Sequence, residues 1–591
     1  MGGGFDGLKR RDTALFIGPV FTREATIAPR RPRFYLARAV YVLALLVLMG
    51  TAWMVLTGTQ LIRDVGDTAR FGGILFQILA TLQLALAVFF AALAAASAVA
   101  EEKDRRTMEL LLLTHLSNAE LVLGRLGASL LGVAVLLLAA LPLFLLAALA
   151  GGVSYAQIAW VFAVTLASIV ACGSLGSTLA LWREKTFQAV ALTVLVLVLW
   201  LALWEVVASG VLGSAWLTVP TATWAAWFSP WRAIDAAIHP FVGRSVAELA
   251  RSPAAVFVMV AAGLSVVLNA VAIVRVRSWN LAREPRLEKE AEAQPTTAPA
   301  MPGATREVWD NPVIWREIRT WAYGRRMLVI RVAYLLLFAL AAANLQGVIQ
   351  ADPAARPSLA MALVPLFLLS LVLVNAQAVT SITSERDARA LDLLLVTDLS
   401  PLEIVFGKLG GVLYNTKEMI LLPMLLTAYV WWSGLMSLEN TVYVLGGLAV
   451  LFAFVAVLGL HAGIVYDNSR AAIATSLGTV FFLLLGVATC MRIMIAFSGS
   501  FQAQLQPFLA FMLGGGVGLY MALGARNPSA AIGVAAFVCP LATFYAITSY
   551  LLDYTLAVFL VTAAAYGFTT AAMLVPAIYE FDVATGRTTG E

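Results

Sequence analysis

The chain is poor in charge, in cysteine and in histidine, and it lacks a phosphate-binding loop. Only 12% of its 591 residues are Asp, Glu, Lys or Arg, against 61% hydrophobic. Soluble domains carry about a quarter charged residues, so this composition excludes an ordinary globular protein. The three cysteines, Cys172, Cys490 and Cys539, sit in apolar surroundings at no ligand spacing, which argues against a disulfide framework or a zinc site. The three histidines, His115, His239 and His461, lie far apart, and no Ser/His/Asp arrangement shares a loop. Metal-assisted or general-base hydrolysis has little to build on. A phosphate cradle needs a Gly-rich loop ending in Lys and a hydroxyl residue. The nearest sequence, Phe406-Gly407-Lys408-Leu409, has neither the upstream glycine nor the hydroxyl. The opening MGGGFDGLKRRD is polar and is no cleavable signal.

What the chain does have is apolar length. Runs at 72–100, 119–150, 187–203, 358–380 and 471–490 are each long enough to cross a bilayer as helix. They lack the alternation of barrel strands, so the expected fold is all-α and polytopic in a lipid bilayer. The net charge of +5 says little about nucleic acid, but its distribution bears on topology. With a cytosolic N-terminus and six crossings per half, thirty of the 39 Lys and Arg fall on the cytosolic side. That bias predicts a multi-pass protein with both termini in the cytosol.

An internal repeat sets the expected architecture. Residues 102–127 read EKDRRTMELLLLTHLSNAELVLGRLG, and 385–410 read ERDARALDLLLVTDLSPLEIVFGKLG. About half of the positions are identical at a constant offset of 283, without a gap. The same offset carries Leu175-Gly176 onto Leu458-Gly459. Upstream, GPVFTRE at 18–24 pairs with NPVIWRE at 311–317 at an offset of 293, which also maps Arg38 onto Arg331 and Tyr41 onto Tyr334. The chain therefore reads as two homologous six-helix transmembrane units in parallel tandem. The expected parts are a cytosolic segment with an amphipathic connecting helix (1–37), a first unit (38–279) and a flexible Pro/Ala/Glu-rich linker (280–308). A second connecting helix (309–327), a second unit (328–578) and a cytosolic tail (579–591) follow. Twelve spans are expected, with re-entrant helices at 212–252 and 498–550. Fourteen follow if the two apolar stretches in the latter cross fully.

The charged segments after the second span of each half are the most informative. Glu102, Arg105, Arg106 and Glu109 fall on one helical stripe, and Leu110–Leu113 continues the helix on its apolar side. Ser117 or Asn118 then caps the next helix, with Glu120 in its first turn. By itself such a run reads as a solvated membrane-surface helix. The repeat favours more, because acid, base and acid recur as Glu102, Arg106, Glu109 and as Glu385, Arg389, Asp392, with the acids Asp104 and Asp387 matched as well.

This pattern (charged stretch, Glu/Asp, Leu run, Thr-x-Leu-Ser, Glu, then Gly-Arg/Lys-Leu) resembles the permease signature of type-2 ABC exporters, once per half. The resemblance implies that 102–116 and 385–399 are coupling helices that dock on a separate ABC nucleotide-binding subunit, two copies in all. ATP and Mg would sit on that partner, with no cofactor and no catalysis in this chain. GPVFTRE and NPVIWRE would be the connecting helices, with Arg23, Glu24, Arg316 and Glu317. Residence in the inner (plasma) membrane and export of a substrate follow from the same resemblance. Two other readings stay open, a non-transporting mechanotransmission protein of the same fold and an ion-driven carrier. Many such carriers use inverted rather than parallel repeats.

Ionisable residues within spans are costly and mark functional candidates. Lys417 and Glu418 fall midway along the third span of the second half, where the first half has the uncharged Ala134 and Val135. An interhelical ion pair and a polar lining of the transport path are the two readings for them, and for Glu205. Pro142 and Pro423 are expected to kink the third spans. Trp216, Trp224, Trp227 and Trp231 are expected at the lipid interface.

Overall fold

The computed structural model describes residues 18–27, 30, 32–59, 64–104, 107–183, 186–208, 213, 215–239, 252–280, 309–319, 327–351, 356–387, 390–497, 501–524, 529–579 and 581. The linker at 281–308, most of the tail, Arg106 and Arg389 lie outside the described residues, as do the side chains of Asp104 and Asp392.

The first half runs α1 (Gly18–Ile27), α2 (Pro32–Thr59), α3 (Val65–Asp104), α4 (Thr107–Leu112), α5 (Asn118–Leu149), α6 (Tyr155–Trp182) and α7 (Thr186–Ala208). A two-residue hairpin, β1 (Ala215–Trp216) and β2 (Val219–Pro220), precedes α8 (Thr221–Phe228), α9 (Pro230–Ile238) and α10 (Pro253–Asn280). The second half runs α11 (Pro312–Arg319), α12 (Met327–Ala351), α13 (Arg356–Asp387), α14 (Ala390–Leu395), α15 (Pro401–Asn415), α16 (Lys417–Trp432) and α17 (Leu438–Val465). It ends with α18 (Ser469–Phe497), α19 (Phe501–Leu523), α20 (Ala530–Leu551) and α21 (Thr555–Tyr579). Among the described residues 13 helices are long and apolar enough to cross a membrane. The fold is all-α and polytopic.

Local geometry recurs between the halves. Ser117 and Ser400 each accept from the third backbone N–H of the next helix, while Glu120 and Glu403 reach back, closing two capping boxes. Helices α3 and α6 cross closely at Gly176, where an added Cβ would stand 2.9 Å from the Ala92 carbonyl oxygen. Helices α13 and α17 do the same at Gly459, 2.7 Å from that of Asn375. Both crossings need a residue without a side chain.

Two places break the correspondence. The third span of the second half is not one helix: α15 stops and α16 starts across Thr416. The break lies seven residues before Pro423, which itself sits inside α16. The Met419 N–H turns to the Thr416 carbonyl (2.9 Å), and Arg331 donates to the Asn415 carbonyl left over (3.2 Å). A guanidinium from α12 thus replaces a backbone donor, and α5, with Pro142 inside it, stays continuous.

The second place is the stretch expected to be re-entrant in both halves. In the first half α8 and α9 have eight and nine residues, too short to cross. In the second, α19 and α20 have 23 and 22, enough to cross, so the re-entrant expectation is corrected there. With the broken α15–α16 pair counted, the larger number of spans fits. The first-half helices pack by their aromatics: Trp204 stacks on Phe228 at 4.5 Å, and Trp200 donates to the Phe228 carbonyl. Trp224 and Trp227 join that cluster, whereas Trp231 stays half exposed.

Candidate functional site

At one end of the bundle each half builds the same tip. Helix α4 sets Met108 inward and leaves Leu110 and Leu113 65% and 83% exposed. Helix α14 buries Leu391 and Leu394 and leaves Leu393 and Val396 74% and 85% exposed. Leu110 matches Leu393 and Leu113 matches Val396 at the offset of the repeat. Glu109 is exposed beside the first pair. Each tip is therefore an apolar pair held out from the protein, a costly arrangement unless something covers it.

The tips are held from behind by charge. Lys103 donates to the Arg183 carbonyl (2.9 Å) and to that of Leu181, at the end of α6. Arg386 donates to the Ile464 carbonyl (3.1 Å) and to that of Tyr466, at the end of α17. A cation on the last carbonyls satisfies orphan acceptors and meets the negative end of the helix dipole. Glu102 turns inward and pairs with Arg125 on α5 at 2.6 Å. Asp387 accepts from Ser469 at 2.7 Å, tying α13 to the start of α18.

The second half adds a four-member cluster. Lys408 Nζ lies 2.6 Å from both Glu317 Oε1 and Glu385 Oε1. Arg316 closes the ring on Glu385 and stands 3.3 Å from Glu317. The side chains of Lys408 and Glu317 are only 1% and 3% exposed. The cluster joins α11, the end of α13 and the middle of α15. Helix α11 can come this close because α15 offers glycines: a Cβ at Gly407 would stand 2.6 Å from that of Val313. Gly407→Ala should cost about 1–3 kcal/mol by overpacking. It would be read as a lower unfolding temperature in detergent, with Gly447→Ala, where nothing lies within 4 Å, as the matched change without loss. In the first half Glu24 is half-buried and Arg23 exposed on α1.

The intramembrane candidates fall elsewhere. Glu418 sits at the α15–α16 break, 3.7 Å from Arg331, and Lys417 lies over the Tyr414 ring at 4.2 Å. Glu205 holds Arg232 through two contacts of 3.0 and 2.6 Å, fastening α9 to α7. None of the three meets the charged tips. Sequence reasoning passed over Arg125 and Lys408, although the Gly-Arg/Lys-Leu match was their signal. It also passed over the exposed apolar pairs, and Gln83 and Gln377. Those two buried amides have no hydrogen-bond partner among the described residues, and being uncharged they carry no flag in a charge inventory.

Residues 31–277 match the family profile described as ABC-2 family transporter protein. That region is an ABC-2 family transporter domain. The match covers helices α2 to α10, including the first tip, less than half of the chain, and supports an ABC-type permease in a multi-pass membrane protein. No curated protein matches the chain. Permeases of the ABC-2 family are membrane transport components and normally work with an ABC ATPase subunit.

Proposed function

We propose that this ABC-2 permease is the membrane-spanning subunit of an ATP-driven exporter, with two permease units fused in one chain. Nucleotide-binding subunits, one per tip, would hold ATP and Mg, and this chain would perform no hydrolysis. Both termini and both tips would face the cytosol from the inner (plasma) membrane. The observation that carries the reading is the repetition of the tip: the same exposed apolar pair, on and just after the same short helix, at matched positions of the two halves. A pair of like surfaces fits a partner that itself comes in two copies. The anchoring pairs behind each tip support the rest of the reading. A push on α4 would be passed to α3, α5 and α6 through Lys103 and the Glu102–Arg125 pair, rather than spent in bending a loop.

The test is co-purification in mild detergent with mass spectrometry of what accompanies the chain. An ATP-binding subunit should appear with the native protein and be strongly depleted when Glu109→Arg and Asp392→Arg are combined. If no ATPase accompanies the folded native chain, the exporter reading falls. If the ATPase stays with the double variant, docking belongs to another surface.

A further inference from the structure

Two tyrosines stand at matching places in the first span of each half, Tyr41 on α2 and Tyr334 on α12. The halves meet the hydrogen-bonding need of these phenols by different means. In the second half the Tyr334 hydroxyl lies 2.8 Å from Ser370 Oγ on α13. It also stands 3.5 Å from the Met419 carbonyl. That carbonyl lacks its usual helical donor, because the residue four places on is Pro423, which has no N–H.

The first half has neither partner. The offset of 283, which also pairs Ala92 with Asn375 at the two glycine crossings, sets Ala87 against Ser370 and Leu136 against Met419. Ala87 has no hydroxyl. Leu136 lies in the unbroken α5, where the Ala140 N–H is placed to meet its carbonyl. One residue makes the opposite change: Gln83 stands where the second half has the fully buried Leu366. The nitrogen and the oxygen of the Gln83 amide are both buried and make no hydrogen bond among the described residues. The Tyr41 hydroxyl makes none there either.

Tyr41, Gln83, Ala87 and Leu136 line one small cavity, of about 10 Å³. A cavity must offer about 10–15 Å³ to the centre of a water molecule before it holds one, so this space suits a single water and nothing larger. A buried water uses about two to four polar partners. The phenol is one. Either end of the amide is another, Nε2 by donating to the water or Oε1 by accepting from it.

We infer that this cavity holds one ordered water, which bridges the Tyr41 hydroxyl and the Gln83 amide. It ties α2 to α3 through a solvent molecule, where the second half ties α12 to α13 by a direct bond between Tyr334 and Ser370. The exchange of Ser370 for Ala87 and of Leu366 for Gln83 is then one change, the loss of a direct partner and the gain of a water-borne one. The site goes beyond the permease reading and stands without it, since it needs neither nucleotide nor a partner chain.

The experiment is a density map of the whole native chain at a resolution that shows ordered waters, joined to unfolding temperatures in detergent. A peak should stand within hydrogen-bonding reach of Tyr41 Oη and of one end of the Gln83 side chain. Gln83→Leu installs the second half's residue and should lower the unfolding temperature by about 1–2 °C, because the water leaves with the amide and the phenol loses its bond. Adding Ala87→Ser completes the second half's arrangement and should recover most of that fall through a direct bond to Tyr41. The same addition should recover nothing when Tyr41→Phe is also present, which separates hydrogen bonding from packing. No peak at this place in a map that shows other buried waters overturns the site. A rise in unfolding temperature with Gln83→Leu overturns it too, since in a dry cavity the change only removes an unpaired buried amide.

Discussion

Replacing Lys408 by Met should destabilise the second half by about 3–5 kcal/mol, the usual result of removing one partner from a buried ion pair. The ammonium reaches both Glu317 and Glu385 at 2.6 Å, and its side chain is 1% exposed. Without it two carboxylates share the half-exposed Arg316, and Glu317, 3% exposed, has no water to turn to. The cost should appear as a large fall in unfolding temperature and as early protease cleavage near α11. Lys408→Arg should cost much less, because Arg125 performs the same pairing with Glu102 in the first half. Combining Lys408→Met with Glu317→Gln and Glu385→Gln should recover most of the loss, since both buried carboxylates are then neutral and the charge that stays, on Arg316, is half exposed. A loss below about 1 kcal/mol for Lys408→Met alone would mean that the cluster behaves as a screened surface pair.

The second large effect concerns the tips. Leu110→Asp together with Leu393→Asp should abolish ATPase association while leaving the chain folded. Both side chains are mostly exposed, at 65% and 74%, so the free protein loses little burial when they change. In a complex each would be an apolar anchor at the centre of a contact, and such anchors are worth about 2 kcal/mol or more. That is roughly 30-fold in affinity at each tip. Co-purification and stimulated ATP hydrolysis should both be lost, with the unfolding temperature unchanged. Either single variant should leave one tip working and an intermediate level of association. Full hydrolysis coupling in the double variant would remove the tips from the mechanism.

These two experiments separate what was legible in the chain from what was not. Hydropathy alone reads out the helices, because runs of about 18 or more consecutive apolar residues leave few other solutions. The tips were legible as segments, through the repeat of Thr-x-Leu-Ser and Glu. Which residues face out was not: the acids Glu102 and Glu385 were expected on the docking surface, and the structure turns them inward to Arg125 and Lys408. Helical spacing places residues on a stripe but does not say whether the stripe meets solvent or the next helix. The α15–α16 break was illegible for a related reason. It depends on a donor from another helix, Arg331, reaching the Asn415 carbonyl, and no local pattern encodes that. The full-length α19 and α20 were visible as apolar stretches, and only the analogy with the aromatic first half argued against their crossing.

The halves meet unequally at the charged end, where α18 faces α2, α3 and α5 across a space of about 330 Å³ while α7, α12 and α13 fill theirs. Parting the halves along α7 and α12 would forfeit the dispersion contacts of a filled interface, residue by residue. Parting them between α2 and α18 begins, at the charged end, from a space already there, whereas further along it would break the core that joins Leu45, Leu48 and Val55 to Ile493, Met494 and Phe508. A load that pries the two tips apart should therefore meet least resistance at that space, with the filled core beyond it acting as the pivot. Two identical subunits related by a dyad would have two equal edges and no preferred direction of opening. Gly478 and Val135, at positions matching Leu195 and Glu418, leave this chain one looser corner instead of two.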